Sequence, residues 1–493
     1  MLSRSLPALR SLVTLLGCLL FLLATTATSR AVVLPSLRTP WDSEVILRPG
    51  DEVWVNLWLD SEGDGSGKVV FSCSGLPPGL RLDPADGTIR GTVRQPGLYT
   101  VTARASVGGL SSAPAVRRIA VVPEHLPTPG VYERVLSRDS APPLGGHLSI
   151  LIQPTGSYSG LLRTGTRRTP VAGTFKEAAP GSPSTSTRFL LPYENRLFLA
   201  ELFYYRGDAP GLTIVDTASP VSNLGLLSLV RPSVGTLPPC PQLGRHAVGL
   251  PFSYGPGNGS GYGSVQISAD YRVNFVGQNP EGTGLTGSCI AEPVGGERVL
   301  GHLFATDGAT TSLLGDPLVP STQGLESTVK WVRLSRKGWQ YADYSHVESD
   351  LTFLASRVTP RTLAAYFPSD IYDLRVSQND IGLSTSTDFL LTSGYRAHFG
   401  SPADDPLRAR LDIYTPTGFF SGRCTVTLMD PVFGSDRFHT RTVNFSGMLL
   451  PEYGFGVGRF VIRQLPNPEA IPPVTAAQAP FLSGSVDIFP TFK

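Results

Sequence analysis

The sequence predicts an all-β chain: a small two-sheet sandwich at the N-terminus, then a longer region of antiparallel meanders closing into barrel-like units. Three observations carry this. Apolar and polar residues alternate with period two in one segment after another, as where Val53, Val55 and Leu57 interleave with Trp54, Asn56 and Trp58. Glycine and proline contribute 53 and 44 of 493 residues, about a fifth of the chain against a usual ~12%. They fall between short apolar segments without a collagen period, which is what many tight turns require. One short helix is signalled, with Thr359 as N-cap, Pro360 in the first turn and Arg361 to Phe367 following.

Composition bounds the function classes. The net charge is +2 and the basic residues form no runs, so the footprint of a nucleic-acid binder is absent. At the N-terminus Arg4 and Arg10 precede the uncharged apolar stretch Leu12 to Leu23, with small residues after it and candidate cleavage at Ala27 or Ala31. That is the three-part layout of a secretory signal peptide over residues 1–31. No later apolar stretch approaches 18 residues, so no membrane span is expected after signal removal. The expected location is therefore secreted or in the cell envelope. Export permits disulfides, and Cys73, Cys240, Cys289 and Cys424 allow three pairings. Cys240–Cys289 is the favoured pair, since both fall in one β-rich segment; free buried thiols are the alternative. With no CxxC and seven scattered histidines, a zinc-type site is not expected.

Residues 32–123 form the first unit. Its most informative stretch is GLPPGLRLDPADGTIRGT, Gly75 to Thr92. Pro77-Pro78-Gly79 forces one turn and Asp83-Pro84-Ala85-Asp86-Gly87 a second, while Leu80, Leu82 and Ile89 supply strand positions. Pro96-Gly97 makes a third turn, and Tyr99, Val101 and Ala103 place one face of a last strand on the core. Turn signals at such short intervals mark a β-sandwich. With Gly75, Leu76, Pro77, Gly79, Leu80, Leu82, Asp83, Gly87, Ile89, Gly91, Thr92, Gly97, Tyr99 and Val101 in place, this stretch resembles the bacterial immunoglobulin-like domains related to cadherin-like and dystroglycan-type sandwiches. It departs from their pattern at Asp86 and Val93, both turn positions. The resemblance implies an extracellular spacer or adhesion module, and some cadherin-like relatives bind calcium. Asp60, Glu62 and Asp64, alternating and followed by Gly65, are the candidate calcium ligands. They are not an EF-hand, because Phe71 stands where the closing glutamate would be, and a polar hairpin turn is the alternative reading.

Residues 124–146, rich in proline, read as a linker. From 147 on, a pattern recurs three times: twice within 147–358 and once in 374–493, with 359–373 as a short helical connector. Gln153–Gly160, Tyr271–Gly277 and Thr415–Gly422 open the copies, and a strand containing Gly173, Gly287 or Gly447 follows. An apolar strand and a closing strand complete each, giving about four strands per copy. Glycines inside strands are expected to mark bulges or bends. Residues 147–490 resemble β-rich repeats of exported proteins from verrucomicrobial-type bacteria, which often stand beside immunoglobulin-like domains; that resemblance implies no activity. Closure into barrels is favoured because it removes exposed strand edges.

Catalytic signatures are missing from the sequence. No serine has the flanking glycines of an acyl-transfer elbow, and there is no HExxH, phosphate-binding loop or dinucleotide fingerprint. The glycine run Gly255 to Gly263 lacks a lysine and a following helix, and reads as a hairpin loop. No catalytic residue and no cofactor other than calcium is assigned. A glycosidase would need two acids, for which Glu201, Asp343 and Glu348 are candidates. Tyr204, Tyr205, Trp339 and Tyr341 are the candidate binding residues, since aromatic faces stack on sugar rings; core packing is the other role open to them. The expectation is a non-catalytic exported or cell-surface protein for binding, adhesion or spacing. Its partner would be an extracellular polymer, a glycan or a cell-surface protein. The alternatives are a secreted carbohydrate-active enzyme and a calcium-dependent cadherin-like adhesion module.

Overall fold

The computed structural model describes residues 33–40, 45–136, 145–164, 167–177, 184–193, 196–205, 210–216, 219–226, 228–232, 240, 242–254, 259–294, 298–300, 302–317, 319–321, 324–339, 346–401, 403–470 and 473–491. The expected signal peptide lies outside them. The chain divides into two compact units, the first built on Gly50–Val93 and Thr100–Arg117, the second containing everything from Arg118 on.

The first unit is the expected sandwich. Glu52–Asn56 pairs antiparallel with Thr88–Thr92, which pairs with Leu80–Leu82. Val69–Ser74 pairs with Gly97–Val107 in a separate sheet. Phe71, Ile89, Val101, Ala103, Ala105 and Val107 are buried. The turn chemistry works as the sequence implies: the carboxylate of Asp83 accepts the amide of Ala85 at 3.0 Å, and that of Asp86 accepts the amide of Thr88 at 2.8 Å. Gly91, at φ 139°, is required twice over, because a Cβ there would lie 2.1 Å from the carbonyl oxygen of Gly79.

Among the described residues the second unit contains three successive antiparallel assemblies, the first of ten strands in two five-stranded sheets and the other two circuits of eight segments each. In the first, the ladder runs from Gly130–Leu136 through Gly146–Ile152 and Ser157–Thr164 to Arg167–Thr174. It resumes at Lys176–Glu177 and continues through Ser184–Tyr193, Arg196–Tyr205 and Gly211–Asp216 to Ser219–Leu226. Ser228–Pro232 then pairs back onto Gly130–Leu136. These ten strands form two five-stranded sheets, and the chain passes from one to the other through Phe175. Tyr132, Ile150, Tyr158, Leu162, Ala200 and Leu202 fill the inside. The strand Gly130–Leu136 lies in the stretch expected to be a linker. The prolines of that stretch flank it, Pro127 and Pro129 before and Pro142 and Pro143 after, and its Val131, Val135 and Leu136 are ordinary strand residues.

The second circuit comprises Gly244–Leu250, Gly261–Ile267, Arg272–Gln278, Gly284–Ile290, His302–Thr306, Thr311–Pro317, Gly324–Leu334 and His346–Arg357. It closes where His246–Gly249 pairs with Leu354–Arg357, across more than a hundred residues of chain. Val265, Val273, Phe275, Trp331 and Phe353 pack its interior. The third comprises Asp370–Gln378, Leu383–Leu391, Ala397–Phe399, Arg410–Tyr414, Phe419–Asp430, Gly434–Leu450, Phe455–Arg463 and Phe481–Pro490. Its ladder closes through one bridge, Arg396 to Asp412. Leu374, Phe389, Phe420, Val426, Phe460 and Val486 lie inside. Between the last two barrels the helix Pro360–Tyr366 is capped as predicted: the Thr359 hydroxyl accepts the amide of Thr362 at 3.0 Å.

The barrel-like architecture is thus as expected, with ladder closure in the second and third circuits, but the count of four strands per unit is corrected to ten in the first and eight in the other two. The strands missed are those with polar outer faces and small residues, such as Leu383–Leu391, LSTSTDFLL, where only alternate positions are buried. The role of the strand glycines is corrected too. Gly173 and Gly447 sit in unbroken register. A Cβ at either would strike an aromatic side chain, the Tyr158 hydroxyl at 2.5 Å and its ring at 2.8 Å, or the Phe420 ring at 2.3 Å. They are seats for aromatic rings rather than bulges. The Cys240–Cys289 pair is not formed: both are free thiols, Cys289 buried and Cys240 half-buried.

Candidate functional site

The groove richest in chemistry lies between the second and third barrels. Along Phe481–Pro490, Leu482, Val486 and Ile488 turn into the barrel, so Ser485, Asp487 and Phe489 turn out, as strand periodicity demands. Register sets Asp487 between Val457 on one neighbour and Arg375 on the other. Opposite them the second barrel presents Pro251, Phe252, Gly259 and Ser260, enclosing a cleft of about 350 Å³. The two walls are held together firmly. The Ser260 and Ser485 hydroxyls are 3.0 Å apart and those of Tyr262 and Ser446 2.9 Å. Arg459 donates to the carbonyl of Pro280 at 2.9 Å and to the side-chain oxygen of Gln278 at 3.1 Å. An apolar contact of Ala247, Tyr262, Leu354, Met448, Leu450 and Val457 lies behind.

Three phenylalanines, Phe252, Phe455 and Phe489, line the cleft along with Asp487; the rings of the last two are 5.8 Å apart. Burial pushes Asp487 up to about 7, with Arg375 opposing the shift. Arg375 is itself engaged, 3.3 Å from Asp373 and 5.5 Å over the Phe489 ring. Gln378 is fixed by hydrogen bonds to the Ser483 carbonyl and to Asp380. The cleft therefore offers flat apolar faces, hydroxyls, and a carboxyl that can donate or accept near neutrality. Asp487 is the one carboxyl among the described residues lining it, whereas two-acid glycoside hydrolysis needs a pair.

The residues singled out from sequence are dispersed. Tyr204 is buried in the first barrel, while Tyr205 is 53% exposed and edge-on to Phe203. Trp339 is half-buried against Phe481, with Arg336 over its ring at 5.3 Å; Tyr341 lies outside the described residues. Glu201 pairs with Arg188 at 3.1 Å on the first barrel and Glu348 with Lys330 at 3.6 Å on the second, so these two acids are not brought together. Asp343 is outside the described residues. Asp64 accepts the amide of Val33 at 2.8 Å. Among the described residues no three of His, Cys, Asp and Glu, Asp60 and Glu62 included, converge as a metal-holding group. Sequence reasoning passed over Asp487, which carries no local signal. It also passed over Trp54, 74% exposed on the first unit and opposite Arg90, although its alternation with Val53 and Val55 was a signal for an outward position.

Comparison with known proteins agrees with the first unit. Residues 54–118 match the family described as "Putative Ig domain". No curated protein matches the sequence. Among solved structures, Protocadherin Gamma B2 extracellular cadherin domains 1–5 align at 13% identity over 83% of this chain, with a TM-score of 0.16. The alignment spans 59% of that chain, so this protein covers little more than half its length. Domains 3–6 of the same protocadherin align at 11% identity over 83% of this chain and 99% of that one, with a TM-score of 0.16. Scores of this size establish no common arrangement. Among the described residues no helix is long and apolar enough to cross a membrane.

Proposed function

We propose that this chain is an exported, non-catalytic binding protein that holds a saccharide segment of an extracellular or cell-surface polymer in the Asp487 cleft. The observation that carries the reading is a single, strongly desolvated carboxyl in a cleft lined by three phenylalanines and several hydroxyls. Sugar rings present apolar faces to aromatic rings and hydroxyls to carboxyl and amide groups, and this cleft lines up both kinds of partner, with Phe252, Phe455 and Phe489 beside Gln378, Asn379 and Asp487. The signal layout of residues 1–31 supports export, and the match at 54–118 supports an extracellular setting. The three barrels would then be the repeat scaffold of an exported protein, with the first unit as spacer. A glycan array probed with the purified chain lacking residues 1–31 tests this. Binding of a defined glycan, weakened at least tenfold by both Asp487→Ala and Phe489→Ala, is expected. Turnover of any polysaccharide or ester substrate that Asp487→Ala abolishes would overturn the non-catalytic reading.

A further inference from the structure

A second groove, on the other side of the second barrel, has the opposite electrostatic character. Arg163 and Arg168 stand directly opposite each other across the hairpin of Ser157–Thr164 and Arg167–Thr174. Like charges in that relation are destabilising. Both line a groove of about 530 Å³ whose far wall is the second barrel, with Asn274, Thr286, Ser288 and Thr306. Arg163 reaches across to the Ser288 hydroxyl at 3.4 Å, a neutral partner.

The acids nearby are held in place by hydrogen bonds or ion pairs, and the groove's lining carries the two guanidiniums against the one carboxylate of Asp307. Asp307 lies in the groove, but one of its oxygens accepts the amides of Ala309, Thr310 and Thr311 at 2.8, 2.8 and 3.0 Å, and the other accepts the Thr310 hydroxyl. Glu133 is buried, takes the amide of Ile290 at 2.9 Å and lies 3.5 Å from His147. Asp270 is paired with Arg272 at 3.0 Å. The groove also continues: Arg163, Asn274 and Ser288 line a neighbouring cavity of about 350 Å³ that carries Ser149 and Ser159. Two opposed guanidiniums thus open onto an elongated channel lined by hydroxyls and Asn274, with Asp307 at one part of it and the buried Glu133 at another.

We propose that this groove binds a segment of an acidic polysaccharide, with a carboxylate or sulfate group seated between Arg163 and Arg168. A planar guanidinium grips such oxyanions with two parallel hydrogen bonds, and an anion placed between two cations removes their mutual repulsion. The length of the channel suits a polymer segment, whose sugar hydroxyls would meet the serines, threonines and Asn274. The inference stands on different residues from the Asp487 cleft and does not depend on it.

The test uses the chain lacking residues 1–31 and four probes: polygalacturonate, dextran sulfate, neutral dextran and inorganic sulfate. Retention on polygalacturonate or dextran sulfate, lost with rising salt, is expected, and which of the two binds tells carboxylate from sulfate ester. Arg168→Ala should weaken that binding at least tenfold and Arg168→Glu abolish it. The melting temperature should stay unchanged or rise, since Arg168 is exposed and its repulsion with Arg163 is removed. Asp487→Ala should bind the acidic polymer as the parent does, which separates this site from the other. Equal retention on neutral dextran, undiminished binding by Arg168→Glu, or a response to inorganic sulfate without retention of either acidic polymer would each overturn the proposal.

Discussion

Replacing Asp487 by asparagine keeps the shape of the side chain and removes its charge. In the folded protein the carboxyl is pushed up to about 7 from an ordinary value of 3.8. A group whose folded value is raised binds its proton more tightly when folded, so folding favours the protonated form. The stability it supplies is fully present below about pH 4 and is lost as pH rises toward 7. Roughly three pH units at about 1.4 kcal/mol each give a ceiling of about 4 kcal/mol. The carboxyl keeps a partial opening to the cleft, and water returns some of that, so about 2–4 kcal/mol is the expected gain for Asp487→Asn at pH 8. The assay is urea unfolding followed by far-ultraviolet circular dichroism, on parent and variant, at half-unit steps from pH 4 to pH 8.5. The two midpoints should converge near pH 4 and separate through pH 7, with the variant more stable at the alkaline end. A gap independent of pH would refute the reasoning. So would a parent more stable than the variant at pH 8, because the ionised carboxylate would then have to be well partnered.

His246 should produce the opposite slope. It is fully buried, and burial, with the charge of Arg357 adding to it and a backbone hydrogen bond at Gly244 opposing it, pushes it down to about 4. Its neutral form is favoured by folding, so the stability is full above pH 6.5 and falls by up to about 3 kcal/mol as pH drops toward 4. His246→Leu should flatten that acid limb, and parallel curves for parent and variant would sink the assignment. The thiols give an independent check: Cys289 and Cys424 are buried, and burial raises both above the ordinary range, Cys424 to about 12. Neither should react with a thiol reagent until the protein is unfolded, and the non-reduced and reduced masses should agree. A mass two units lower without reductant would show a disulfide the structure does not contain.

Much of the local structure was legible in the residues. The turns at Asp83 and Asp86 form with the side-chain bonds those residue types make, and the Thr359–Pro360 cap forms at the position its signal marks. Alternation sorted Val53 and Val55 from Trp54, because a strand has two faces and a period of two whatever it pairs with. The reading failed where a strand's pattern was diluted. In Arg167–Thr174, RRTPVAGT, only Val171 is buried, and its Gly173 was taken for a bend because sequence does not show the Tyr158 ring that occupies the space.

The sequence by itself determined the all-β class, an immunoglobulin-like sandwich near the N-terminus and the recurrence of meanders, since these follow from turn residues and a short-range period. Only the tertiary structure decided that the second and third circuits close at eight segments. Closure rests on backbone pairing between segments such as His246–Gly249 and Leu354–Arg357, and backbone groups are the same at every residue. It likewise decided the chemistry of the grooves. Asp487 and Arg168 read in the chain as ordinary outward strand residues. They become distinctive only when a second barrel shuts water away from the carboxyl and when register sets one arginine against another, because desolvation and Coulomb repulsion depend on distances in space rather than along the chain.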